Sequence, residues 1–144
     1  CKCERIDEAI DEAEGLYSAT SNFSPLHADA LGRVASALRD IREFELSKSL
    51  CKAALEAAPG TFWLSYLLSF IERDLGNTGL AIDSALSALK IAPERHEPHY
   101  FLACIYRDRQ NYAAALKSIN SAIERSDRQL YVDFKFDLAQ KVRE

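Results

Sequence analysis

HEPHYFLACIYRDRQNYAAALKSINSAIERSDRQ, residues 96–129, decides how the chain folds, because its landmarks recur upstream at one fixed distance. The dipeptide Arg107-Asp108 has counterparts at Arg73-Asp74 and Arg39-Asp40, each displaced by 34 residues from the last. Ala122 recurs as Ala88 and Ala54, with Ile123, Leu89 and Leu55 following in the same register. Pro93 and Pro59 keep the same spacing, each after an Ala-rich stretch. A period of this length is the mark of stacked supersecondary units, none of which can bury its apolar face alone.

Inside each period the local signals are helical. Ser24-Pro25 reads as a cap followed by proline in a first helical turn, Pro98 again sits near a start, and Thr61 and Asn111 are cap-type residues. Gly76 reads as a stop. Leu64, Leu68, Ile71 and Leu75 fall at i, i+4, i+7 and i+11, a single apolar stripe that predicts a core face.

With these markers the chain resembles the tetratricopeptide family, whose repeat is a 34-residue pair of antiparallel helices with small residues where the helices cross. Three units fit without gaps, at 28–61, 62–95 and 96–129. The third carries Leu102, Ala103, Tyr106, Tyr112, Ala115, Ala122 and Ile123 at the family's small and large positions. The second keeps Leu68, Gly76, Ala81, Ala88, Leu89 and Pro93, with Glu72 and Thr78 where aromatics are usual. The first keeps Val34, Ala35, Phe44, Ala54, Leu55 and Pro59, and departs at the small residues Ser47 and Cys51. The resemblance implies an all-α, right-handed α-α superhelix of about eight helices. Residues 1–27 then supply an N-terminal helix and linker, with Ile6, Ala9, Ile10, Ala13, Leu16 and Tyr17 on one face over 4–18. Residues 130–144 supply a capping helix, with Tyr131, Phe134, Leu138 and Val142 on one side; Asp137, where a small residue is wanted, argues against a full fourth unit.

Composition agrees and narrows the function. The chain is 48% hydrophobic with only five Gly and four Pro, enough apolar residues for a core and too few breakers for a loop-rich or all-β fold. A net charge of −4 gives no general attraction to phosphate backbones, so nucleic acid is not expected as a partner. The longest apolar run, Trp63 to Phe70, is interrupted by Ser65 and Ser69 and cannot span a bilayer. Cys1, Cys3, Cys51 and Cys104 lack disulfide-scaffold spacing and read as reduced thiols, which suits the cytoplasm. Absence of Met and a leading Cys suggest a processed or excised piece; lipid anchoring through Cys1 is the alternative location.

For a binding site, the resemblance implies that the first helix of each unit lines an inner wall on which residues 34 apart become neighbours. Trp63, Tyr66, Phe70 and Arg73 share one face at i, i+3, i+7 and i+10, with Tyr100 expected beside Tyr66 and with Phe101, Tyr131 and Phe134 extending the aromatic character. Rigid aromatics are typical binding anchors. The alternative is that the N-terminal segment or a second subunit covers these rings as core. Arg39, Arg73, Arg107 and Lys141 form a basic column suited to carboxylates; the alternative is helix-end and ion-pair stabilisation. The wall positions Gly32, Ser36, Leu67, Glu97 and Phe101 lack the Lys and Asn set of the family's chaperone-tail clamps.

His96, Glu97 and His99 lack a third convincing metal ligand, and capping or surface roles suit the histidines better; Cys1-Lys2-Cys3 has no second Cys pair. No phosphate loop, nucleophile elbow or zinc-protease motif occurs. The expected function is a protein-interaction scaffold that binds a peptide or partner protein, with no catalysis, cofactor or metal. Two alternatives stand beside it: a regulatory or targeting segment of a larger enzyme such as a glycosyl- or sulfotransferase, and self-association through the aromatic surface.

Overall fold

A computed structural model describes residues 25–143 together with Glu8. The described residues contain seven helices and no strand: α1 (Pro25–Asp40), α2 (Phe44–Ala57), α3 (Phe62–Asp74), α4 (Thr78–Ile91), α5 (Glu97–Asp108), α6 (Tyr112–Arg125) and α7 (Gln129–Arg143). Eight were expected; the one placed over 4–18, with Cys1, Cys3 and the cap Ser24, lies outside the described residues apart from the helical Glu8. None of the helices is long and apolar enough to cross a membrane. The chain divides into two compact units, one ending at Ser84 and the other beginning at Ala85.

The 34-residue period is written into the backbone of the turns. After α1, α3 and α5 the chain enters left-handed φ at Arg42 (69°), Gly76 (82°) and Gln110 (61°). The amides of these residues donate to the carbonyls of Arg39, Arg73 and Arg107, each at 2.9 Å. The following amides, of Glu43, Asn77 and Asn111, reach back to Leu38, Glu72 and Tyr106 at 2.9, 2.8 and 2.8 Å. Paired bonds of this kind satisfy helix-end carbonyls that would otherwise be orphaned. Gly76 adopts the turn without steric cost, whereas Arg42 and Gln110 hold it against their Cβ atoms. At the helix starts, Asn111 caps α6 by accepting from the Ala114 amide, while Thr61 precedes α3 without a side-chain cap bond.

In the first unit, Leu31, Ala35 and Leu38 of α1 meet Leu50, Cys51 and Ala54 of α2 and Leu64 and Ile71 of α3 in one buried core. Each fully buried Leu or Ile contributes about 1.5–3 kcal/mol. The predicted stripe of α3 faces this core, with Leu64 and Ile71 buried and Leu68 and Leu75 packed against it at partial exposure. Small residues let the helices approach closely. The Ser47 hydroxyl donates to the Ala35 carbonyl at 2.5 Å, and the Cys51 thiol donates to the Leu64 carbonyl at 3.4 Å. Gly32 passes so near the Trp63 indole and Leu64 that a Cβ would overlap both. Glu72 stands in an aromatic position and is 2% exposed; Lys48 Nζ at 3.1 Å and Asn77 Nδ2 at 2.9 Å compensate its buried carboxylate.

The second unit has its own core, Ala103 of α5, Ala115, Ile119 and Ala122 of α6, and Tyr131, Phe134 and Leu138 of α7. Val142, expected on the same side of α7, is instead 52% exposed, because the residues of α7 that pack into this core end one turn earlier at Leu138.

Candidate partner-binding site

Helix α3 is apolar on two sides, and only one of them is spent on the core. Along the other, Phe62, Tyr66 and Phe70 recur every four residues, which on a helix brings successive side chains into contact. Phe62 and Tyr66 stack with centroids 5.7 Å apart at 18°, and Tyr66 meets Phe70 edge to face at 4.8 Å and 77°. These rings are half-buried. Two guanidinium groups cover Phe70: Arg39 of α1 lies 5.0 Å from the ring centroid and Arg73, one turn along α3, lies 4.9 Å away. Contacts of this kind contribute about 0.5–1 kcal/mol each at exposed sites. Arg39 is fixed further by Asp74, whose Oδ2 accepts from Arg39 Nε at 2.6 Å. Trp63 is half-buried beside these rings, with its indole packed on the first core and against Gly32.

A second aromatic cluster stands on α5 and α7. The Tyr100 ring lies 5.1 Å from Tyr131 and meets Phe134 edge to face at 5.5 Å. Burial pushes both tyrosine hydroxyls above their ordinary pKa. Arg107 lies 4.8 Å over Phe134 and 3.2 Å from its own neighbour Asp108. A pocket of about 350 Å³ opens here, lined by Arg107, Phe134, Asp137, Leu138, Gln140 and Lys141. The basic column therefore takes distinct local forms: Arg39 and Arg73 flank one ring, while Arg107 covers another and lines a pocket with Lys141.

Tyr66, Phe70, Arg73 and Arg39 come together in the first unit, where Trp63 packs on the core and against Gly32, and Tyr100 and Arg107 stand in the second. Phe101, Tyr131 and Phe134, expected to extend an aromatic wall, are only 3%, 2% and 7% exposed and serve mainly as core. His96 stands at the cap position of α5 without a side-chain cap bond; its Nδ1 instead pairs with the Tyr131 hydroxyl at 2.6 Å. His99 Nε2 is buried without a hydrogen-bond partner, and burial lowers the pKa of this imidazole. Among the described residues no three His, Cys, Asp or Glu side chains converge on a metal-sized site. Two features escape sequence reasoning, the stacking of Arg39 and Arg73 on a single ring and the pocket beside Arg107. The first has a partial signal in the Phe70 and Arg73 spacing.

Residues 96–128 match the model of the Tetratricopeptide repeat. No curated protein matches the chain in sequence. Among solved structures, the fold is similar to the first TPR of Spaghetti (RPAP3) bound to the HSP90 peptide SRMEEVD, with a TM-score of 0.77, 10% identity, and coverage of 85% of this chain and 100% of that one. It is similar also to the Sgt2 TPR domain from Aspergillus fumigatus, at a TM-score of 0.73 and 18% identity over 81% of this chain and 80% of that one. A third similar structure is the Yersinia enterocolitica type III secretion chaperone SycD in complex with a peptide of the translocator YopD, at 0.73 and 13% identity over 78% and 92%.

Proposed function

The chain carries a tetratricopeptide repeat and has the tetratricopeptide fold, and from that premise we propose that it is a non-catalytic interaction module whose hairpins at 28–61, 62–95 and 96–129 present a peptide-binding groove. The half-buried ladder of Phe62, Tyr66 and Phe70, flanked by Arg39 and Arg73, carries the proposal. A side chain that already packs on its neighbours loses little freedom when a partner lands on it, so rigid rings convert contact area into affinity efficiently. The guanidinium edges beside them are suited to carboxylates or main-chain carbonyls of an extended segment. Two of the similar structures were solved with peptides bound, which supports the same use of the fold here. In the first unit Trp63, Tyr66, Phe70 and Arg73, with Arg39, form one contact region, and in the second unit Tyr100 with Arg107 forms another.

The test is selection from a displayed peptide library against the 144-residue chain, followed by affinity measurement on the enriched peptides. Tyr66→Ala/Arg73→Ala is expected to weaken binding about tenfold or more while leaving helicity unchanged by circular dichroism. Equal affinity in a fully helical double variant would remove the first contact region from the site.

A further inference from the structure

A second pocket of the second unit, about 330 Å³ in volume, opens between α4, α5 and α6 and shares no residue with the one beside Arg107. Its lining is divided by helix. Leu86 and Leu89 of α4, with Leu102 and Tyr106 of α5, supply apolar surface, whereas α6 supplies Lys117 and Ser118. The repeat does not dictate this pairing. Leu86 is 44% exposed, and the residues 34 away on either side of it are Lys52 and Asn120. The residue 34 before Lys117 is Asp83, so one period earlier a lysine and an aspartate stand where the pocket has a leucine and a lysine.

The charge of the pocket comes from Lys117. This side chain is exposed and makes no ion pair among the described residues. His99 also lines the pocket, but burial lowers its pKa from 6.5 and leaves the imidazole uncharged at neutral pH. Arg125, whose charge adds to that shift, is occupied by the carbonyls of Pro93 and Ser121, each at 2.8 Å. We propose that this pocket binds a small monocarboxylate with an apolar body, a single-ring or short-chain acid. The body packs on Leu86, Leu89 and Leu102, and the carboxylate meets the Lys117 ammonium and the Ser118 hydroxyl in charge-assisted hydrogen bonds. The volume lies at the low end of the roughly 300–1,000 Å³ of ligand sites, which suits a ligand of that size. An uncharged molecule of the same shape gains nothing from Lys117.

Titration of the 144-residue chain with 3-phenylpropionate, followed by methyl NMR, tests this, with 3-phenylpropanol as the uncharged control. Saturable shifts are expected at Leu86, Leu89 and Leu102, and the alcohol is expected to bind about tenfold more weakly than the acid. Leu86→Lys and Lys117→Asp copy the residues found one period earlier, at exposed positions that leave the fold intact. Each should weaken the acid about tenfold with an unchanged circular dichroism melt, and Lys117→Asp should also abolish the preference for acid over alcohol. Absence of saturable shifts at these leucines, equal affinity for acid and alcohol, or a Lys117→Asp variant that still prefers the acid would each overturn the assignment. Peptide binding through α3 is measured separately and stands or falls on its own variants.

Discussion

Gly32 lies inside a helix, where alanine is intrinsically better by about 1 kcal/mol, yet it faces the Trp63 indole with no space for a methyl group. Sterics win at this position. Gly32→Ala is expected to destabilise the chain by about 1–3 kcal/mol in urea unfolding, by forcing either the indole or α1 outward. Cys51 makes a second prediction at this scale. Burial, with Glu72 adding to it, pushes its thiol from 9.0 up to about 12. The unfolded thiol therefore ionises first as pH rises. The contribution is complete below about pH 9 and is lost toward pH 12, at up to about 1.4 kcal/mol per pH unit. Cys51→Ala should flatten the fall in stability between about pH 9 and pH 11, whatever it costs at neutral pH. An unchanged slope in the variant would contradict the buried-thiol origin.

Between elements, the pair of Lys48 on α2 and Glu72 on α3 replaces an apolar contact with an ionic one. The residues 34 later are Ile82 and Tyr106. Lys48→Met leaves the carboxylate buried with only Asn77 beside it and is expected to cost about 3–5 kcal/mol. Lys48→Ile/Glu72→Tyr, which copies the later register, should recover most of that loss or exceed the starting stability; urea midpoints of both variants decide it. Helix positions were legible because period and stripe coincide: Leu64 and Ile71 had to face inward wherever α3 packed. Glu72 was visible as an exception, but its partner was not. Sequence spacing cannot show that Lys48 arrives from a different helix. The spacing of Tyr131 and Phe134 puts them on one face of α7, though aromatic type alone does not say whether such a face is spent on core or left for a ligand. The Arg39 and Arg73 column was legible as a register, while the stacking of both on Phe70 depends on side-chain directions that the register does not contain.

At the scale of the whole molecule, α4 runs unbroken from Thr78 to Ile91 across the Ser84 and Ala85 boundary of the two compact units. Ser84→Pro removes an amide donor and clashes with the preceding turn, at about 3 kcal/mol or more. Thermal unfolding followed by circular dichroism is expected to broaden or separate into two transitions in this variant. A single sharp transition at the parental midpoint would show that the helix does not link the units energetically. The turns at Arg42, Gly76 and Gln110 have another implication. Because each joint closes with the same two hydrogen bonds at the same interval, a stretch of one full period begins and ends in matching geometry wherever it is cut. Duplication or loss of such a cassette preserves every splice, whereas an insertion of any other length within a hairpin would throw the following helix out of phase, so growth of this lineage by whole modules is the path that the backbone itself favours.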